Sequence, residues 1–238
     1  GEVDQVLISK QIQNRNNYHF FTQYNLSIKD YSKLTLGVSS NNIKYNWTCC
    51  DEKQDKKLNY KYKNVISPRI SYNYEKDKNS YFINISHGFS PPNIDETLDN
   101  NGLVNTSIKP ETGMNYEIGM LGSSYENKIS YNINIYFMDI KNLLVAQRTD
   151  FDTFVGVNAG KTSHPGIESK INLVLFENDN LFIKSSNNFS KYWYTFREFN
   201  HLGNDFSSNK LTGVPSHSIY SKINIEYKKI IGKFSFNH

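Results

Sequence analysis

The sequence predicts an all-β protein, an antiparallel up-and-down β-barrel that spans a membrane. One observation behind this prediction is the alternation of apolar and polar residues along many long segments, which is the period of a β-strand. A second observation concerns the connections between these segments, which alternate between short polar turns and long irregular stretches. Outer-membrane barrels have this arrangement, with short turns on the periplasmic side and long loops outside.

Each alternating segment has one apolar and one polar face. In segment 128–137, Ile133 and Ile135 fall on the apolar face, which we expect to meet lipid. Asn132 and Asn134 fall on the opposite face, which we expect to line the lumen. A tilted strand needs about 9–11 residues to cross a bilayer, and these segments are long enough. The pattern is clearest at 18–28, 80–89, 128–137 and 217–227.

The lengths of strands and connections favour the membrane barrel over a soluble fold. A soluble β-sandwich or propeller also alternates, but strands of globular proteins average roughly 5–6 residues. Two strands here, 128–148 and 154–176, are expected to reach about 20 residues around a short connection at 149–153. Short turns are predicted at 29–33, 75–79, 124–128, 177–180 and 228–229, and long loops at 48–64, 90–112 and 195–213.

The composition excludes several other classes of protein. The chain of 238 residues is rich in aromatic residues, with 17 Tyr and 15 Phe. No apolar run approaches the roughly 18 residues that indicate a membrane helix. The net charge of +4 comes from scattered lysines without a basic stripe, so no nucleic-acid partner is expected.

Residues that could carry chemistry are sparse. The histidines show no ligand spacing, and the two cysteines, Cys49 and Cys50, are adjacent in a predicted external loop. We therefore predict neither a metal site nor a disulfide framework. Two free thiols and a strained vicinal disulfide are both compatible with this pair. Because no Ser/His/Asp triad or justified carboxylate pair is present, we predict no enzyme activity and no cofactor.

The Gly-Lys-Thr at 160–162 raises the question of a phosphate-binding loop. Such a loop needs a glycine five residues before Gly160, and Val155 stands there. The residues from Ile167 to Leu175 alternate with period 2, so a strand follows where the loop requires a helix. We therefore reject a nucleotide site.

Five short segments together resemble the barrel of TonB-dependent outer-membrane receptors. The run 157–168, in which Asn-Ala-Gly-Lys-Thr precedes Gly-Ile-Glu, resembles a signature of the late barrel of that family. Two departures are Ser163, where many relatives have a basic residue, and Gly113-Met114, where an aromatic residue is common. The other segments come in the family's order: 86–96 (SHGFSPPNIDE), 108–119 (IKPETGMNYEIG), 134–148 (NIYFMDIKNLLVAQR) and 211–217 (LTGVPSH).

The roles expected for these motifs are structural. Glu117 and Glu168 are expected to face the polar lumen, where charged groups are tolerated. Gly160 and Gly166 are expected to allow bends or bulges in a long strand.

The resemblance implies one segment of a 22-stranded barrel whose lumen is plugged. Residues 1–238 are expected to supply about ten or eleven of these strands, with the plug domain and the last strands absent. It further implies an active-uptake receptor in the outer membrane of a Gram-negative bacterium. Such a receptor contacts outer-membrane lipid, and the TonB complex energises it through the plug. A ferric siderophore is the expected ligand, and a passive porin-like or adhesin barrel is the alternative.

One aromatic group is the candidate ligand site. Tyr192, Trp193, Tyr194 and Phe196 lie close together in the sequence and could stack on a bound ligand. An aromatic girdle at the membrane interface is the commoner role of such a group, and both interpretations are carried forward.

Overall fold

The computed structural model describes residues 10–51, 54–93, 95–97, 105–124, 126–148, 154–158, 160–201 and 203–238. Within these ranges the chain forms sixteen strands and one short 3-10 helix, η1 (Asp95–Thr97). The strands are β1 (Lys10–Lys29), β2 (Ser32–Asp51), β3 (Gln54–Lys61), β4 (Val65–Lys76), β5 (Asn79–Ser90), β6 (Glu111–Ser124), β7 (Ile129–Lys141), β8 (Leu144–Arg148), β9 (Phe154–Asn158), β10 (Lys161–Glu177), β11 (Leu181–Tyr192), β12 (Thr195–Glu198), β13 (Asn200–His201), β14 (Asn204–Asp205), β15 (His217–Tyr227) and β16 (Ile230–Asn237).

Ten of the strands form one antiparallel wall, in the order β1-β2-β4-β5-β6-β7-β10-β11-β15-β16. Two further strands join it, since β3 pairs with β2 and β12 pairs with β10. The predicted all-β, up-and-down architecture is confirmed, and the ten strands of the wall agree with the ten or eleven expected. The sheet is not closed, because β1 and β16 do not pair with each other. No helix in the described ranges is long and apolar enough to cross a membrane.

The register of the wall aligns side chains of like polarity in rows. Ile83, Ile118, Ile135 and Ile167 occupy directly opposite positions on four successive strands. Ile118 and Ile135 are each more than half exposed, which is unusual for large apolar side chains unless lipid or another protein covers them. The residues next to them along each strand point to the other face. The alternation predicted for β7 is therefore confirmed, and we call these the outer and inner faces of the wall.

The five predicted short turns all join neighbouring strands of the wall at one end. Several of them contain a residue in the left-handed region, which allows a tight reversal: Asp77 (φ 53°), Asn127 (φ 67°) and Lys228 (φ 51°). The long connections lie at the opposite end, which is the extracellular end in barrels of this architecture.

The two strands expected to be about 20 residues long are each interrupted. Asn142 (φ 58°) follows β7 and Gly160 (φ 68°) precedes β10, and the Asn142 N–H donates to the Gly160 carbonyl over 2.7 Å. Left-handed residues cannot continue a pleated strand. Beyond them β8 and β9 form a separate two-stranded sheet, so the prediction of two uninterrupted strands is wrong.

The loop predicted at 48–64 is largely a hairpin. β2 continues to Asp51, and β3 pairs with its end. The backbone of Cys49 and Cys50 therefore lies in a strand, opposite Lys56 and Asp55, and the expectation that they occupy a loop is wrong. Charged residues at this turn look like loop residues in the sequence. Charged residues are common at the margins of sheets, where they discourage unwanted strand pairing.

Candidate functional site

Asn158 links three parts of the extracellular end. Its Nδ2 donates to the carbonyl oxygens of Lys109 and Asn142, each over 2.9 Å. Its Oδ1 accepts the backbone N–H of Lys109, also at 2.9 Å. One amide thus holds the connection between β5 and β6, the end of β7 and the start of the β10 region together.

Two further contacts fix the β8–β9 hairpin at this junction. A carboxylate oxygen of Glu111 accepts the backbone N–H of Leu144 at 2.6 Å. A Cβ at Gly156 would collide with the carbonyl of Glu96, so the hairpin packs closely on η1. The Lys-Pro-Glu, Ile-x-Asn and Asn-Ala-Gly-Lys-Thr segments therefore meet here.

An aromatic cluster of Tyr136, His164, Tyr192 and Tyr194 covers the inner face of β10 at the same end. The hydroxyls of Tyr136 and Tyr194 share a hydrogen bond of 2.6 Å. The His164 ring lies 4.4 Å from the Tyr194 ring, and its Nε2 is 2.8 Å from the hydroxyl of Thr162. His164 is only 7% exposed, and the Tyr194 ring packs on it.

Gly166 makes room for this cluster. It lies directly opposite Tyr136, and a Cβ at Gly166 would collide with the Tyr136 ring. Gly119 makes room in the same way for the ring of Phe82. The register through Gly166 is continuous, so no bulge occurs there, whereas Gly160 does interrupt its strand.

Three of the four candidate ligand residues, Tyr192, Trp193 and Tyr194, line one crevice, and Phe196 lies outside it. Tyr192 and Tyr194 belong to the inner aromatic cluster, with ring centroids 5.4 Å apart. Trp193 is 52% exposed on the outer face, with the ammonium of Lys191 6.0 Å from its ring centroid. Phe196 is buried and stacks on Phe199 at 4.7 Å. A role in ligand binding stays a prediction for all four.

The inner face of the wall is polar below the cluster. Asn84 donates from Nδ2 to a carboxylate oxygen of Glu117 over 3.2 Å. Glu168 lies opposite Asn134, whose Oδ1 is buried without a hydrogen-bond partner. Glu117 and Glu168 thus occupy the face on which they were expected. This inner wall presents acidic, basic and amide side chains to whatever fills the lumen.

No group of three or more His, Cys, Asp or Glu residues that could hold a metal ion occurs among the described residues.

The family described as "TonB dependent receptor-like, beta-barrel" matches residues 5–237, which is nearly the whole chain. The chain belongs to the TonB-dependent receptor family. Barrels of this family are outer-membrane proteins of Gram-negative bacteria.

Solved structures share the fold of this receptor segment at low sequence identity. The siderophore receptor PiuA from Acinetobacter baumannii is 15% identical, with a TM-score of 0.63 over 92% of this chain and 32% of that chain. The copper transporter OprC is 13% identical, with a TM-score of 0.74 over 94% and 34%. The ferric yersiniabactin uptake receptor FyuA from Yersinia pestis is 16% identical, with a TM-score of 0.66 over 96% and 35%. The chain spans about a third of the length of these structures. None of the curated proteins compared with the receptor chain matches it.

Sequence reasoning missed a second aromatic cluster in the receptor, formed by Ile43, Tyr45, Trp47 and Tyr62. All four are at most 5% exposed. The Tyr45 hydroxyl donates to the Pro92 carbonyl over 2.6 Å, so the cluster ties the β2–β3 hairpin to the connection after β5. Burial, followed by the neighbouring phenols, raises the pKa of Tyr62 above its usual value, which keeps this group neutral. In the sequence, the alternation of Ile43, Tyr45 and Trp47 could have indicated that these side chains share one buried face.

Proposed function

We propose that this chain forms part of the barrel wall of an active-uptake receptor that imports a scarce, bulky ligand across the outer membrane. The family match over residues 5–237 carries the proposal. We propose a ferric siderophore as the ligand class, because the titles of PiuA and FyuA name siderophore and ferric-siderophore uptake. The family and these neighbours are receptors and transporters, and we propose no catalytic role for the chain.

Residues 1–238 are proposed to be one barrel segment, completed in the whole protein by further strands and a plug domain. Two features support this. β1 and β16 are edge strands that do not pair with each other, and open sheet edges do not occur in contact with hydrocarbon. The neighbouring structures are also about three times as long as the chain.

The polarity of the inner face supports the proposal that a plug fills the lumen. A face that carries Glu117, Asn134 and Glu168 would be unfavourable against lipid but suits water and a polar plug. We propose that the TonB complex acts on that plug and so energises uptake.

Tyr192 and Tyr194 are proposed as the ligand contacts. They lie at the extracellular end on the inner face, where a ligand entering the lumen would pass. Trp193 is proposed to belong to the interfacial girdle, because it is exposed on the outer face.

Uptake by cells that produce the full-length protein tests the function. Iron-55 complexes of catecholate, hydroxamate and phenolate siderophores serve as probes, and a strain lacking the gene is the control. We expect uptake of one class, lost both in a strain without TonB and after dissipation of the proton gradient. Uptake that persists without TonB would favour the passive porin-like barrel. If the strain lacking the gene attaches less well to surfaces but takes up the iron complexes normally, the adhesin is favoured.

The ligand contacts have their own test. Replacing Tyr194 by Ala should weaken binding of the transported complex by roughly 2- to 10-fold, the range of one aromatic contact. Trp193→Ala, a ring of comparable size on the outer face, is the matched control and should leave affinity unchanged. Equal losses in both variants would contradict the assignment.

A further inference from the structure

A pocket opens on the inner face of the wall near its extracellular end, and we call it the glycine pocket. Gly88 on β5 and Gly113 on β6 lie directly opposite each other and form its floor. Met138 and Ile140 line it with apolar side chains from the same face of β7. The pocket has a volume of about 220 Å³. An apolar cavity of about 150 Å³ can hold benzene, so the glycine pocket has room for an aromatic ring.

The fold of the wall does not require a glycine at position 88. At Gly119 and Gly166 a neighbouring ring occupies the place of a side chain, and at Gly113 an added Cβ would lie 2.9 Å from the carbonyl oxygen of Asp139. A Cβ at Gly88 would have one neighbour within 4 Å, at 3.8 Å, and the φ of Gly88 is not left-handed. A glycine inside a strand weakens it and often marks the close approach of a ligand. A bound group above Gly88 therefore explains the missing side chain better than the packing of the wall does.

The lining of the glycine pocket favours an uncharged apolar group. Glu111 is the one ionisable side chain among the described residues that line it. A carboxylate oxygen of Glu111 already accepts the backbone N–H of Leu144 at 2.6 Å. An anionic group would find no basic partner in this lining, and burial of an unpaired charge is costly. Met138 and Ile140 offer apolar contacts instead, and a thioether adapts readily to the shape of a ring.

The glycine pocket is continuous with the proposed ligand contacts. Met138 lies directly opposite His164 on β10, and the Tyr194 ring packs on His164 with 4.4 Å between the ring centroids. On its other side Met138 lies opposite Asn115 of β6, which also lines the pocket. Adjacent strands are about 4.8 Å apart, so this part of the pocket lies roughly 10 Å across the wall from His164. A ligand that contacts Tyr194 can therefore extend one arm into the pocket.

We propose that the glycine pocket binds an uncharged apolar arm of the transported ligand, such as an aryl ring. This inference rests on the proposed uptake function and adds to it the chemical character of one part of the ligand. The iron-binding part of the chelate would lie toward Tyr194. The arm would cover Gly88 and pack against Met138 and Ile140. Gly88 is then a determinant of specificity, because a side chain at this position would occupy the place of the arm.

The first test compares iron-55 complexes with and without the arm, bound to cells that produce the full-length receptor. Catecholate, hydroxamate and phenolate chelates are each used with a benzyl arm and with a methyl group in its place. We expect about 10-fold tighter binding of the benzyl complex of the transported class, which is the low end for burial of one apolar side chain. Gly88→Leu should bind both complexes with the same, lower affinity.

Gly37→Leu is the matched control for this comparison. Gly37 is also a strand glycine of the inner face, in the same row as Ser86, and the nearest atom to an added Cβ would be 3.7 Å away. The residues that line the glycine pocket do not include Gly37. Gly37→Leu should therefore keep the preference for the benzyl complex.

The second test does not depend on uptake. Gly88→Cys and Gly37→Cys are introduced separately into the full-length receptor, in a Cys49→Ser/Cys50→Ser background. The purified receptor reacts with N-benzylmaleimide or N-methylmaleimide. Because an apolar pocket binds the benzyl group before the reaction, the ratio of the benzyl rate to the methyl rate should be about 10-fold higher for Gly88→Cys than for Gly37→Cys.

The two tests distinguish this inference from the proposed function. Uptake of none of the complexes, together with a raised rate ratio for Gly88→Cys, would contradict the proposed function and still support a site for an apolar group. Equal affinities for the two complexes of the transported class would overturn the inference, and so would equal rate ratios. A thiol at position 88 that reacts with neither reagent would also overturn it, because the plug would then fill the pocket. If Gly88→Leu assembles poorly, Gly88→Ala must still weaken binding of the benzyl complex about fourfold, the contribution of one methylene.

Discussion

The wall of this sheet and its extracellular end are built on different principles. In the wall, ten strands pair in continuous ladders, and the side chains divide into an apolar outer face and a polar inner face. At the extracellular end the strands are short, and side chains such as Asn158, Glu111 and Tyr194 hold the connections in place. The wall is held in its conformation by backbone pairing and by the polarity of its two faces. The extracellular end is held by individual side-chain contacts.

This difference predicts different sensitivities to substitution. A wall position should respond chiefly to the polarity of its face and to the space that its cross-strand neighbour leaves. A position at the extracellular end should respond to the loss of particular hydrogen bonds, with effects confined to the local segment.

The largest effect is expected from a charge on the outer face of the wall. Ile135→Arg places a guanidinium near the middle of β7 toward lipid and should cost about 2–4 kcal/mol. The measurement is the fraction of full-length receptor that reaches the outer membrane as a heat-modifiable band. Asn132→Arg, three residues away on the inner face, is the control and should assemble nearly normally. Equal losses would show that the two faces are assigned wrongly.

A smaller but clear effect is expected where a ring lies over a glycine. Gly166→Ala adds a methyl group against the Tyr136 ring and should destabilise the assembled receptor by roughly 1–3 kcal/mol in denaturant titrations. The same change in a Tyr136→Ala background should be nearly neutral. Gly232→Ala, where the nearest atoms would be 3.8 Å from the added carbon, is the control. A full cost in the Tyr136→Ala background would argue against the ring contact as the cause.

Removing the side-chain amide of Asn158 should have a local effect. Asn158→Ala loses three hydrogen bonds, and we expect amide exchange in the β8–β9 hairpin to accelerate roughly 5- to 30-fold, as for a loss of 1–2 kcal/mol. Exchange in β7 below Asn142 should not change. Asn188→Ala on the inner face of β11 is the matched control. Acceleration throughout the wall would show that the two regions are not separable.

The smallest effect is expected from a surface ion pair. Lys161 and Glu198 approach to 2.6 Å, but their side chains are 40% and 62% exposed, so solvent screens the pair. Glu198→Gln should change local stability by about 0–1 kcal/mol, measured by amide exchange at Lys161. An effect as large as that of Asn158→Ala would mean that this charge also belongs to the junction.

The wall could be predicted from the sequence because its signals are local. Alternation in runs such as 128–137 and the short polar turns fix strand identity, face and order without knowledge of distant contacts. The extracellular end could not be predicted in the same way. Gly160 was expected to allow a bend, but apolar, strand-forming residues lie on both sides of Asn142 and before Gly160, so the sequence did not show that the long strands end there. The charged residues at 51–57 are typical of a loop, so the β2–β3 hairpin was not predicted.

The candidate site was predicted only in part, because its members depend on cross-strand register. The sequence indicated Tyr192 and Tyr194 as aromatic residues near a strand end, but not that they would meet Tyr136 and His164. Those two positions are about 30 residues or more away along the chain and become neighbours only when β7, β10 and β11 are aligned.

The paired interruptions at Asn142 and Gly160 have a consequence for how this surface can diverge over evolutionary time. They lie at the same level on adjacent strands, joined by one backbone hydrogen bond. An insertion or deletion between Asn142 and Asn158 would change the length of the hairpin without shifting β7 against β10, whose pairing is set below the interruption. Homologues can therefore display different hairpins to the outside while inheriting the same wall.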